Sequence, residues 1–183
     1  MRSYKSLLVF AVAILLVSFG SVSAQNFTDS KPERTIEQNV KSQILKLPRY
    51  EVFDFISFEV NGSTVTLSGK VRNAFNKGEA EKRVEDVPGV TRVVNNIEIL
   101  PVGSLDESIR RNLYRSLSNT AGLSRYLWHV NPSVRLIVDR GHIFLEGNVA
   151  NKGDYNLMNI IANGIPGSFS VTNNLVIDDG KAR

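Results

Sequence analysis

From Phe58 the apolar residues alternate: Phe58 and Val60, the turn dipeptide Asn61-Gly62, then Val65, Leu67, Gly69 and Val71. A period of two around a turn predicts a strand, a tight hairpin and a second strand. Asn73 then stands where a helix N-cap is wanted, and Ala80, Val84 and Val87 follow at helical spacing. Pro88-Gly89 stops that helix, and Val90 to Leu100 closes the unit with a strand. Upstream, Ile36, Val40, Ile44 and Leu47 predict another helix ahead of the hairpin.

The same pattern returns 78 positions later. VTLSGKV, Val65 to Val71, reappears as IFLEGNV, Ile143 to Val149, and Phe58 to Ile99 aligns with Leu136 to Ile177 without a gap, with 11 identities in 42 positions. The shared residues include Leu67/Leu145, Gly69/Gly147, Asn73/Asn151, Pro88/Pro166, Gly89/Gly167, Asn95/Asn173 and Asn96/Asn174. Such agreement at apolar, glycine and cap positions marks a duplicated domain, each copy large enough to enclose a small core. In the second copy the hairpin is Leu136, Val138, Arg140-Gly141, Ile143, Leu145 and Val149. Its second helix is expected to bury Leu157, Ile160, Ile161 and Ile165, and its last strand is Phe169 to Ile177. Its first helix carries Leu105, Ile109, Leu113 and Leu117, with Ser104 and Glu107 spaced as a capping box. The order α-β-β-α-β, twice, predicts an α+β protein of two tandem domains, each a three-stranded mixed sheet with two helices on one face. The glycine in each central strand marks a bend or a close backbone approach.

The sequence hydrophobic-x-Leu-x-Gly-x-Val, a helix, Pro-Gly-Val and a closing Val-x-Asn-Asn-hydrophobic strand resembles the BON domain, and the whole chain resembles a dual-BON exported envelope protein. The resemblance covers Glu33 to Leu100 and Ser104 to Ile177. It implies a periplasmic, non-catalytic protein associated with envelope integrity, binding anionic phospholipid through its second domain, with soluble stress-induced members also in the family. The chain departs from the lipid-anchored members in having no cysteine to acylate, and from the motif in reading Pro166-Gly167-Ser168 in the second copy. Residues Ser118 to Ser124 also lengthen the path from first helix to hairpin there.

Composition adds the compartment. Arg2 and Lys5 precede the apolar run Leu7 to Val17, which is too short to span a bilayer comfortably, and Val22-Ser23-Ala24 is a small-x-small cleavage pattern. Residues 1–24 are therefore expected to be a cleaved signal peptide, followed by a linker at 25–32, the first domain at 33–100, a connector at 101–103, the second domain at 104–178 and a tail at 179–183. Export to the periplasm, without lipidation, is expected, with a peripheral rather than transmembrane association. Loss of Arg2 and Lys5 lowers the formal charge from +4 to +2, too little for nucleic-acid binding. The basic residues are unevenly placed: Ser108 to Val138 holds five arginines (Arg110, Arg111, Arg115, Arg125, Arg135) and no acid.

Motifs for catalysis are missing. The only histidines are His129 and His142, no zinc-ligand spacing occurs, and neither phosphate-cradling nor nucleophile-elbow patterns are present. No catalytic residue, metal or cofactor is expected. Asp178-Asp179 reads as a solvated tail, and Asn95-Asn96 with Asn173-Asn174 as structural residues at the last strands. The remaining candidate is Arg125-Tyr126-Leu127-Trp128, together with Arg110, Arg111 and Arg115 on the preceding helix. Guanidinium groups attract anionic headgroups and amphipathic aromatics favour a membrane interface. Arg49-Tyr50-Glu51-Val52-Phe53 holds the corresponding place in the first copy, which favours Tyr126 and Trp128 as core residues beneath the hairpin and leaves the arginines the stronger ligand candidates. Two partners remain open at this stage: anionic phospholipid, or envelope proteins met through exposed apolar residues such as Phe55 and Phe144.

Overall fold

A computed structural model describes residues 35–128 and 130–178. The expected signal peptide, the 25–32 linker, His129 and the 179–183 tail lie outside the described residues. The first copy runs α1 (Ile36–Leu45), β1 (Phe55–Asn61), β2 (Thr64–Val71), α2 (Ala74–Glu85) and β3 (Arg92–Ile99). The second runs α3 (Ser104–Ser118), a 3-10 turn (Ser124–Leu127), β4 (Val134–Asp139), β5 (His142–Val149), α4 (Lys152–Asn163) and β6 (Ser170–Ile177). In each copy the hairpin strands are antiparallel and the third strand lies parallel to the central one, giving orders β1-β2-β3 and β4-β5-β6.

Each copy buries its own apolar stripe. Val40, Ile44, Leu47, Val65, Leu67, Ala80 and Val84 meet in one cluster, and Ile109, Leu113, Leu117, Leu136, Ile143, Leu145, Met158 and Ala162 in the other. Burial of each Val, Leu, Ile or Met side chain among them contributes about 1.5–3 kcal/mol. The repeated glycines are close-approach residues. Gly69 has φ +121° opposite Ile56, and a Cβ there would stand 2.2 Å from the Phe55 carbonyl oxygen. Gly147, φ +110°, would meet the Ser133 oxygen at 2.0 Å.

Caps and tethers explain the repeated asparagines. Asn73 accepts from the Phe75 N–H at 2.9 Å and Asn151 from the Asp154 N–H at 2.8 Å, satisfying first-turn donors of α2 and α4. Asn95 ties β3 to α2, donating to the Lys77 carbonyl at 3.0 Å and to Glu81 at 2.9 Å, and Asn173 reaches Tyr155 and Asn159 of α4 at 3.4 Å.

Two local expectations are corrected. The capping box is absent from α3, whose N-cap is Gly103 with no side-chain cap bond. Its acids are drawn elsewhere: Asp106 accepts from the Arg140 and Gly141 N–H groups at 2.8 and 2.7 Å, and Glu107 pairs with Arg72 at 3.2 Å. A capping box does form at α1, where Thr35 and Gln38 bond reciprocally. On α4 the buried stripe is Met158 and Ala162 with Ile161 and Ile165 beside them, whereas Leu157 and Ile160 are exposed.

The copies also grip one another. The strap of residues 50–53 lies along β4: Val52 O accepts from Leu136 N at 2.8 Å, Glu51 O from Arg135 at 2.8 Å, and the Arg135 guanidinium sits 4.1 Å above the Tyr50 ring. Phe53 meets Tyr114 edge-on at 6.0 Å, and Lys70 pairs with Asp139 while lying 5.6 Å from the Phe144 ring. Every residue of β4 is consequently buried, on both faces of its sheet.

Candidate functional site

The helical period of α3 sorts its arginines. Ile109, Leu113 and Leu117 point into the core, fully buried. Arg111 and Arg115, one turn apart, face outward. Arg111 is 59% exposed, with Glu107 at 3.7 Å, and the Arg115 side chain is exposed. Arg110 falls on the flank instead. It is 3% exposed, donates to the Val138 carbonyl, and has Glu107 at 3.5 Å and Asp106 at 4.0 Å. Burial, then repulsion from Arg72, pushes its pKa down. Arg110 therefore does not share the outward face of Arg111 and Arg115: its guanidinium joins α3 to β4 and borders a separate groove with Arg72 and Glu107.

The 3-10 turn divides the aromatics. Tyr126 is buried, its hydroxyl accepting from Ala150 N at 3.0 Å and donating to Asp154 at 2.5 Å. In the first copy Asp54 performs this task, accepting from Arg72 N at 2.7 Å and from Asn76 at 3.2 Å. The donor and acceptor have exchanged places between the copies, which makes Tyr126 a structural residue and removes it from the ligand surface. Arg125 stays at the surface, bonded to Asp154 at 2.6 Å and lying over the Tyr126 ring at 4.8 Å. The Tyr126 hydroxyl, followed by Arg125, holds the Asp154 carboxyl below the usual aspartate range.

Trp128 turns away from the core and is 69% exposed, with Val130 beyond it 83% exposed. Both border a groove of about 620 Å³ whose walls include Leu47, Tyr50 and Phe53 of the first copy and Tyr114 and Leu127 of the second. Four expected residues, Arg111, Arg115, Arg125 and Trp128, thus remain on the surface. The strap at 50–53 also borders this region, a placement that the pattern of the sequence does not show. Its sequence signal was the correspondence of Arg49 to Phe53 with Arg125 and its neighbours, which pointed to the place but not to the contact across the copies.

Other chemistry is sparse. His142 Nδ1 lies 2.7 Å from Ser170 Oγ and its ring meets Phe169 edge-on. Among the described residues, no three His, Asp or Glu side chains are grouped to hold a metal ion.

Among solved structures the chain is similar to CdsD, described as the structural protein of the type III secretion system of Chlamydia trachomatis. Its C-terminal domain matches at 15% identity and a TM-score of 0.29, over 80% of this chain and 98% of that one. A second CdsD structure matches at 14% and 0.27, over 79% and 94%. Likeness at that level carries no argument about function. The comparison with curated proteins returned no match. The model of the BON domain matches twice, at residues 32–101 and 106–179, in register with the duplicated α-β-β-α-β units, and the chain belongs to the BON domain family.

Proposed function

We propose that this protein is exported and serves as a non-catalytic module of the bacterial envelope, associating peripherally with anionic phospholipid through its second domain. The observation that carries this reading is the exposure of Trp128 and Val130, three and five residues after the surface residue Arg125, at a place where the first copy buries or packs its aromatics. Arg111, Arg115 and Arg125 supply electrostatic capture, and the indole supplies shallow insertion at the headgroup level. Export rests on the residue 1–24 pattern, and peripheral attachment is consistent with the absence, among the described residues, of a helix long and apolar enough to cross a membrane. No anchoring chain is required, so binding is reversible and weakens as salt screens the arginines.

The test is co-sedimentation of residues 25–183 with neutral and with anionic vesicles at low and high salt, beside the Arg111→Ala/Arg115→Ala variant. Sedimentation with anionic vesicles alone, weakened by salt and by the variant, is expected. An aromatic-lined groove shared by both copies favours a second reading, docking of an envelope protein without lipid contact. Failure to sediment under every condition would select that reading and overturn the first.

A further inference from the structure

The two copies share one fold, so each is a control for the other. A residue apolar and exposed in one copy, yet charged or polar at the matching position of the other, is not required by the fold. α2 carries six charged residues, Lys77, Glu79, Glu81, Lys82, Arg83 and Glu85. α4 carries Lys152 and Asp154, both in its first turn, and no charge from Tyr155 to Asn163. Leu157 stands where the first copy has Glu79, Ile160 where it has Lys82, and Phe169 where it has Thr91. These three are 37%, 67% and 70% exposed.

Leu157 and Ile160 are three residues apart and share the outer side of α4, which packs beside α3 in the helical layer. At the C-terminal end of α4 the chain turns through Pro166-Gly167, where the side chain of half-exposed Leu105 from α3 lies against Gly167. Phe169 follows and covers Gly141 of the β4–β5 turn. The outward side of α3 carries Arg111 and Arg115. An uncharged helix with exposed aliphatic residues therefore neighbours a helix presenting cations, and the only acid of α4, Asp154, is engaged by Arg125 and Tyr126.

We propose that the outer face of α4, Leu157 and Ile160 with Phe169 at its end, is a second membrane-contact surface that embeds in the headgroup and acyl boundary of an anionic bilayer while Arg111 and Arg115 engage the headgroups. Charge complementarity selects the occupant: exposed apolar residues on one helix, with outward arginines on the helix packed beside it, fit an anionic lipid surface. The inference rests on the lipid reading above and assigns it residues that Trp128 does not reach.

The experiment transplants the first copy's residues. Leu157→Glu/Ile160→Lys places at each position a residue the same fold already accommodates, and Phe169→Thr does so independently at the adjoining turn. Flotation of full-length mature protein with vesicles of phosphatidylglycerol and phosphatidylcholine gives a partition coefficient for each variant, and urea unfolding confirms that each is folded. The double variant is expected to lower the partition coefficient by about tenfold or more, and Phe169→Thr by severalfold, with unfolding midpoints near wild type. If both variants, folded, partition like wild type while Arg111→Ala/Arg115→Ala weakens binding, the α4 surface is wrong and the lipid reading stands. If wild-type protein does not float with phosphatidylglycerol vesicles, the reading and the inference fall together.

Discussion

Single atoms decide the most at Gly69 and Gly147. Each combines a positive φ with a neighbouring carbonyl oxygen about 2 Å from where a Cβ would lie, so Gly69→Ala and Gly147→Ala are each expected to lose at least about 2 kcal/mol, through strain and displacement of the hairpin together. Urea unfolding would register this as a fall in midpoint at unchanged slope. Tyr126 makes a second residue-scale case. Tyr126→Phe leaves the Ala150 N–H and the Asp154 carboxylate without their shared partner, an expected cost of about 1–3 kcal/mol. The depressed Asp154 pKa adds a sign: its stabilisation is fully present above the ordinary aspartate value near ~3.9 and is lost as pH falls through the lower folded value. The midpoint difference between wild type and Tyr126→Phe should therefore narrow on acidification below about pH 4, as the Asp154 contribution is lost from the wild type. The glycines were legible because the repeat printed them twice. Tyr126 was not, because the first copy does the same task with Asp54 and Asn76, and a change of chemistry at unchanged function leaves no identity to read.

At the scale of elements, α3 shows what helical spacing reveals and what it hides. Period 3.6 separates Ile109, Leu113 and Leu117 from Arg111 and Arg115 correctly. Arg110 lies on the flank between those faces, and its fate depends on β4, which is remote in sequence. Arg110→Ala is expected to cost about 3 kcal/mol or more, because it strands the Val138 carbonyl and the acids around it. Arg111→Ala and Arg115→Ala should each stay within about 0.5 kcal/mol by thermal or urea unfolding, which leaves them clean probes of binding. The capping box misled for a related reason: Ser104 and Glu107 have the right spacing, but Arg72 and the β4–β5 turn compete for the acids of that first turn. On α4, four apolar residues at plausible spacing concealed that the core takes Met158 and Ala162 and leaves Leu157 and Ile160 outside.

Across the whole molecule, the duplicated fold was written in the sequence and the joint between the copies was not. Strand β4 is buried on both faces only because the strap at 50–53 and Lys70 cover its second side. Arg135→Ala removes the bond to the Glu51 carbonyl and the stacking on Tyr50, and an expected loss of about 2–3 kcal/mol should appear in urea unfolding of the full chain. The same variant made in an isolated second domain, where the strap is missing, should show little of that loss. Membrane association is the property on which the functional account turns, and Trp128, the only tryptophan, reports it directly. Its emission should be measured during titration with phosphatidylglycerol vesicles at low salt, with aqueous quencher added at saturation. A shift to shorter wavelength with protection from quenching, reversed by salt and absent with phosphatidylcholine alone, is the outcome the account requires. An unchanged spectrum and undiminished quenching at every lipid concentration would contradict insertion of Trp128 into an anionic membrane surface.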